Sequence, residues 1–131
     1  MAEIRLVNRI TLDHAEELVE ETYIGEIRQK EGVLYLTYHN RDHERVLIKC
    51  EAKRLHMTRF SNPHMQLHFS ASKDGLAIMP TPMGVQHFRT HTKHYSCNPD
   101  SQPITLSYDL MPLEGEEAFA SYDLQIFWGD E

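Results

Sequence analysis

One arginine and a set of tyrosines and threonines are the residues of this sequence best suited to bind a ligand. Arg59 is the one charged residue on the apolar face of its predicted hairpin. The other polar positions predicted to face inward are Tyr38, Tyr108, Tyr122, Thr90 and Thr92, together with Asn8 and Gln86. A partly desolvated guanidinium offers a planar, bidentate fork to a carboxylate or phosphate. These residue types therefore predict a binding site for a small, acidic ligand, with Arg59 as its anchor.

The sequence offers little support for catalysis. It contains no Gly-rich phosphate loop and no nucleophile elbow, and its serines have no His or Asp neighbours at an interpretable spacing. Asp109 and Asp123, which could serve as acids or bases, fall on the predicted outer face of their strands. We therefore expect a protein that is not an enzyme and that carries no cofactor.

The nine histidines raise the question of a metal site. The predicted register places His56 opposite His68, where β-carbons are about 5 Å apart. Two imidazoles alone do not complete a site, because structural zinc takes four protein ligands and catalytic zinc takes three. No third ligand is evident, so we expect surface histidines and no bound metal.

The charge of the chain limits the classes of macromolecule that it can bind. The formal net charge of −7 argues against a surface that follows nucleic-acid phosphates. One strand does present His87, Arg89, His91 and Lys93 on one face, but the stripe has no interleaved aromatic platform. We therefore expect a solvated face there and no nucleic-acid partner.

The expected cellular location is inferred from the lack of membrane-spanning and leader patterns in the sequence. No apolar run is long enough to cross a membrane, and the first residues do not form a leader pattern. The two cysteines, Cys50 and Cys97, are far apart and form no metal or redox motif. We expect free thiols in a cytoplasmic protein that does not bind membranes.

The segment that closes the chain gives the clearest structural signal. The tetrapeptide Ser-Tyr-Asp-Leu occurs at 107–110 and again at 121–124, symmetrically about Gly115. A hairpin folded about Gly115 places Tyr108 opposite Tyr122 and gathers most large apolar residues on one face. The other face is mainly polar, which is typical of an antiparallel sheet wetted on one side.

Similar alternation runs through the rest of the chain. Hairpins are predicted around 40–44 and 61–63, and proline-containing turns interrupt the pattern at 80–84. Residues 13–22 fit either a short helix or a strand, and we interpret them as a turn followed by a strand from about 17 to 29. The sequence predicts one all-β domain over residues 1–131. Its expected architecture is a closed antiparallel up-and-down β-barrel of eight to nine strands, because closure removes exposed edges.

Several segments together resemble the YwiB-like family of small bacterial proteins. They are Gly25 through Tyr38, Arg59 ten residues before Phe69, Pro82-Met83-Gly84, Thr90-His91-Thr92-Lys93 and Tyr108-Asp109. The resemblance covers residues 20 to 128 and implies a calycin-like, lipocalin-type β-barrel. It implies no catalytic residue and no assigned function.

Three functional hypotheses remain. An enzyme is the third, and it would need a perturbed acid or base beside Arg59, a position that Asp109 and Asp123 do not have. A barrel of this size can hold one small ligand, and Arg59 with the inward tyrosines and threonines would then bind it. Alternatively, the barrel is filled by side chains and the protein acts through its outer surface, as an interaction or structural module. In that case Arg59 lies at the rim, bonded to a carbonyl or an Asp, and the tyrosines pack the core.

Overall fold

The computed structural model describes residues 1–130, with the backbone alone described at residue 130. Within that range the chain forms ten strands, which are β1 (Ala2–Leu12), β2 (Ala15–Lys30), β3 (Val33–His39), β4 (Arg45–Cys50), β5 (Arg54–Arg59), β6 (Met65–Ser70), β7 (Gly75–Thr81), β8 (Gly84–Asn98), β9 (Ser101–Met111) and β10 (Ala120–Asp130). The described residues contain no helix long and apolar enough to cross a membrane.

The strands form a closed antiparallel barrel. Each strand pairs with its neighbours in sequence, and β1 also pairs with β10, from Ala2 opposite Asp130 to Thr11 opposite Ser121. The prediction of a closed up-and-down barrel is therefore confirmed. The described part of the chain has ten strands instead of eight to nine, because the segment containing Pro80 continues as strand β7 up to a tight turn at Gly84.

The predicted closing register is correct. Tyr108 lies opposite Tyr122, and Ser107 lies opposite Asp123, as the symmetry about Gly115 requires. The ambiguous residues 13–22 also follow the strand interpretation, since β2 begins at Ala15 and runs to Lys30. A tight turn with positive φ at Asp13 and His14 connects β1 to β2 in place of a capped helix.

Strand β8 departs from the predicted alternation. Its pairing with β9 shifts between Thr92 and His94, which marks a β-bulge at this point. The extra residue reverses the faces of the following positions. Tyr95 therefore packs against the core, although unbroken alternation would place it on the outer face with His91 and Lys93, and His94 is exposed.

The barrel interior is densely packed at one end. Because the chain runs up and down, the hairpins β1–β2, β3–β4, β5–β6, β7–β8 and β9–β10 all lie at the same end, which we call the hairpin end. The most deeply buried apolar side chains lie farther from it along their strands. The largest aliphatic ones, each 0–1% exposed, are Ile4, Leu34, Leu36, Ile48, Leu55, Ile104, Leu106 and Ile126.

Candidate functional site

A small cavity lies inside the barrel, between the packed layer and the hairpin end. Its volume is about 180 Å³, and it is lined by Leu6, Asn8, Val19, Glu21, Tyr38, Met57, Leu67, Phe69, Tyr108 and Leu124. The residues of β5 show this arrangement. Leu55 is buried in the packed layer, Met57 lines the cavity, and Arg59 lies at the last position of the strand. Several lining side chains, including Val19 and Glu21, are half-buried, so the cavity is accessible from the hairpin end.

Two stacked tyrosine pairs border this cavity. The rings of Tyr23 and Tyr38 have centroids 4.5 Å apart, and those of Tyr108 and Tyr122 have centroids 4.7 Å apart. Phe69 packs against Tyr108 with a centroid distance of 4.5 Å. Burial raises the pKa of Tyr38 and of Tyr108, so both hydroxyls remain neutral at physiological pH. Three of the predicted site residues therefore lie at the cavity or beside it, namely Tyr38, Tyr108 and Tyr122.

Glu21 is the acidic residue that sequence reasoning did not find. It faces the interior from β2, opposite Leu6 of β1, and the hydroxyl of Tyr23 donates a hydrogen bond to its Oε2. Burial, and then the contact with Glu21, raise the pKa of Tyr23 to about 12. The signal was present in the alternation of Val19, Glu21 and Tyr23, but the segment was too ambiguous for a face to be assigned.

Arg59 lies at the rim and already has protein partners. Its Nε is 3.7 Å from Oε1 of Glu44 and donates a hydrogen bond to Oγ of Ser61 at 3.3 Å. Its side chain is 33% exposed, and it is not among the residues that line the cavity. This arrangement resembles the one expected for a filled barrel, in which Arg59 lies at the rim. The carboxylate partner is a Glu and not an Asp.

The two predicted threonines have different environments. Thr90 is fully buried, and its hydroxyl donates a 2.6 Å hydrogen bond to the backbone carbonyl of His68. Thr92 lies opposite Tyr108, and its hydroxyl is buried without a partner among the described residues. Thr90 is thus occupied by a structural contact, whereas Thr92 retains hydrogen-bonding capacity. Gln86, also predicted to face inward, is exposed in β8.

Asn8 contributes a polar side chain to the cavity lining. It faces inward from β1 beside Leu124 and Val19, and its Oδ1 atom is buried without a hydrogen-bond partner among the described residues. Buried polar atoms are nearly always satisfied, so this unpaired oxygen marks a costly polar position, and it is too enclosed for a water molecule or ligand atom to reach it. Asn8 was one of the polar positions predicted to face inward.

The histidines do not assemble a metal centre within residues 1–130. No group of three or more His, Cys, Asp or Glu side chains there could hold a metal ion. The predicted opposition of His56 and His68 is present, with ring centroids 3.8 Å apart. Burial lowers the pKa of both imidazoles, and the neighbouring His68 and Lys49 lower that of His56 further.

Cys50 and Cys97 are both free thiols and lie close together inside the barrel. Cys50 is buried, and Tyr95 beside Cys97 donates its hydroxyl to the carbonyls of Glu51 and Arg54. The hydrogen bond from Cys50 lowers the pKa of Cys97 to about 7. The β8 bulge is what brings Cys97 to this inner position.

A second concavity lies on the outer surface of β2, β3 and β4. It has a volume of about 740 Å³, and Ile24, Arg28, Tyr35, Arg45 and Leu47 are among the residues that line it. We call it the outer groove. It is larger than the interior cavity and carries both basic and apolar side chains.

Comparison with known proteins places the chain in a family. Residues 4–126 match the family described as "Domain of unknown function (DUF1934)". The chain belongs to this family. The DUF1934 chain is also similar to the crystal structure of the ywiB protein from Bacillus subtilis, with a TM-score of 0.81 and 17% sequence identity over 99% of this chain and 91% of that chain. These findings confirm the predicted resemblance to the YwiB-like family and its barrel fold. No curated protein matches the sequence.

Proposed function

We propose that this DUF1934 protein is a non-enzymatic binding protein that holds one small molecule in the interior cavity. The observation that carries the proposal is a cavity inside the barrel that is lined mainly by apolar side chains and by a few polar ones. The polar lining residues are Asn8, Glu21, Tyr38 and Tyr108. A filled core would gain stability from apolar side chains at these positions, because buried polar groups without partners are costly.

The size of the cavity restricts the ligand. A volume of about 180 Å³ holds about six water molecules and is smaller than the usual range for small-molecule pockets, which begins at roughly 300 Å³. The proposed ligand is therefore a compact molecule. Arg59 can reach an acidic ligand only by giving up Glu44, so the anchor predicted from the sequence has a competing partner.

Native mass spectrometry of freshly purified protein tests the proposal. We expect a fraction of the protein to carry an additional small mass that is lost on denaturation. Val19→Phe fills the cavity from β2 and should abolish the retained mass. Leu18→Phe is the matched control, because Leu18 is 56% exposed on the other face of the same strand and its substitution should leave the retained mass unchanged.

A contrary result would favour the filled barrel. If no mass is retained, and if a fragment library shifts no NMR resonance of the cavity residues, then the interior is closed to ligands. The second hypothesis, an interaction module that acts through its outer surface, would then be preferred. The outer groove of about 740 Å³ is the specific observation that favours this alternative. Crosslinking from an Arg28→Cys position in the groove would test it directly.

A further inference from the structure

The chemistry of the cavity lining identifies a class of ligand. The Glu21 carboxylate lines the cavity, and the hydroxyl of Tyr23 donates a hydrogen bond to it. Within residues 1–130, no Lys, Arg or His nitrogen forms an ion pair with Glu21, and Arg59 pairs with Glu44 instead. Among the described residues, the carboxylate in the cavity thus has a neutral hydrogen-bond donor but no counterion.

The remaining walls are suited to a positive charge. The rings of Tyr38, Phe69 and Tyr108 line the same cavity as the Glu21 carboxylate. Aromatic faces attract ammonium groups through the negative potential of the ring, and the attraction is stronger where water is excluded. Stacking on Tyr23 and Tyr122 holds two of these rings in fixed positions.

The geometry points to a compact organic ammonium ion as the ligand of the interior cavity. We propose that the cation lies against the rings of Tyr38 and Tyr108 and that Glu21 neutralises its charge. This inference rests on the proposed binding function and replaces the acidic ligand with a cation. Arg59 is then not the residue that anchors the ligand, because it already pairs with Glu44. Glu21 is the charged residue of the cavity lining that has no counterion among the described residues.

Three probes of similar size separate the alternatives. Tetramethylammonium is the cationic probe, tert-butanol is its neutral counterpart, and acetate is the anionic probe. Each is titrated into the full chain while NMR resonances of Tyr38, Tyr108 and Leu67 are followed. We expect tetramethylammonium to bind at least tenfold more tightly than tert-butanol, and acetate to cause no shift at these residues.

Two variants test the assigned counterion. Glu21→Gln retains the shape of the side chain without its charge and should weaken tetramethylammonium binding at least tenfold. Glu20→Gln makes the same change at the exposed neighbouring position, on the other face of β2, and should leave the affinity unchanged. If Glu21→Gln does not fold, the ranking of the three probes on the unmodified protein still decides the question.

The outcomes distinguish this inference from the proposed function. If tert-butanol or acetate binds in the cavity as tightly as tetramethylammonium, the cation inference is wrong and small-ligand binding stands. Equal loss of affinity in Glu20→Gln and Glu21→Gln would also overturn the inference, because it would indicate a general charge effect. If none of the probes perturbs the cavity resonances and no ligand is retained on purification, both proposals fail.

Discussion

Arg59 and Glu21 both face the barrel interior, and their partners differ. Arg59 of β5 lies at the rim beside Glu44 and Ser61, whereas Glu21 of β2 lines the cavity and is bonded to Tyr23. A charge that is already paired and half in solvent contributes little to binding a ligand. The position of a residue along its strand therefore decides its role as much as the face it occupies.

The rim position of Arg59 leads to the first prediction. Arg59→Met removes a partly exposed ion pair with an Nε–Oε1 distance of 3.7 Å, so the free energy of unfolding should fall by no more than about 1 kcal/mol. Denaturant unfolding measures this change, and Arg54→Met, at a more exposed pair with Glu51, is the control. Binding of tetramethylammonium should persist in Arg59→Met. A loss of several kcal/mol would mean that Arg59 is more deeply buried than at the rim.

The His56–His68 pair predicts a pH dependence of stability. Their pKa values are lowered in the folded state, so above the unfolded value of about 6.5 both states are neutral and the pair has no effect. As the pH falls below 6.5, the unfolded chain binds protons before the folded one does, and the free energy of unfolding decreases. This loss is complete once the pH is below the folded pKa values.

Denaturant unfolding between pH 7.5 and pH 5 measures the effect. The decline in stability should be smaller in the His56→Gln, His68→Gln double variant than in the unmodified protein. His64→Gln, at an exposed residue of the adjoining turn, is the control and should show the unmodified slope. Identical slopes in all three proteins would show that the pKa values of the two neighbouring imidazoles are not lowered.

At the scale of strands, the segment around Gly75 explains why Thr90 is structural. A β-carbon at Gly75 would lie 2.1 Å from the carbonyl oxygen of His68 and 2.7 Å from Oγ1 of Thr90. Glycine is therefore required where β6, β7 and β8 approach one another. Thr90 of β8 reaches across this point to the carbonyl of His68 in β6, which leaves its hydroxyl unavailable to a ligand.

Thr90→Val tests that contact. Valine has nearly the same shape but no hydroxyl, so the buried carbonyl of His68 loses its donor and the free energy of unfolding should fall by about 1–3 kcal/mol. Thr90→Ser retains the hydroxyl and should preserve more of the stability. Thermal and denaturant unfolding of the two variants provides the comparison. A valine variant as stable as the unmodified protein would mean that the carbonyl is satisfied in another way.

The strands also show what the sequence can and cannot predict. The symmetric repeat about Gly115 determined the register of Tyr108 and Tyr122 correctly, because alternation fixes which residues share a face. The β8 bulge was not predictable in this way, since a single inserted residue leaves no compositional signal and reverses every later face. Glu21 was missed for a related reason: residues 13–22 fitted both a helix and a strand, and no inner face could be assigned.

At the scale of the whole molecule, the charge balance depends strongly on histidine. The formal net charge is −7 with neutral histidines, and protonation of all nine would bring it to +2. Many of these histidines are on the surface, including His14, His39 and His43. Net charge far from zero keeps proteins dispersed, so mild acid should remove much of this repulsion.

We therefore predict lowest solubility between about pH 5 and pH 6.5, because a free imidazole gains its proton near pH 6.5, where free carboxyl groups are still mostly ionised. Light scattering of the protein during a slow titration from pH 7.5 to pH 5 measures the onset of association. A triple variant, His14→Gln, His39→Gln, His43→Gln, gains fewer positive charges and should begin to associate at a lower pH. Unchanged scattering throughout the range would show that surface charge does not limit solubility.

Pairing between β1 and β10 has a consequence for the order of synthesis. The ribosome makes β1 first and β10 last, and nearly the whole chain separates these two partners. A nascent chain can complete the local β1–β2 hairpin early, but the other edge of β1 stays open until β10 emerges. An open edge can pair with other chains, and Arg5 and Arg9 are charged residues that point outward along it. The fold is therefore most exposed to pairing with other chains during translation. Premature termination before β10 would leave two permanently open edges, on β1 and on β9.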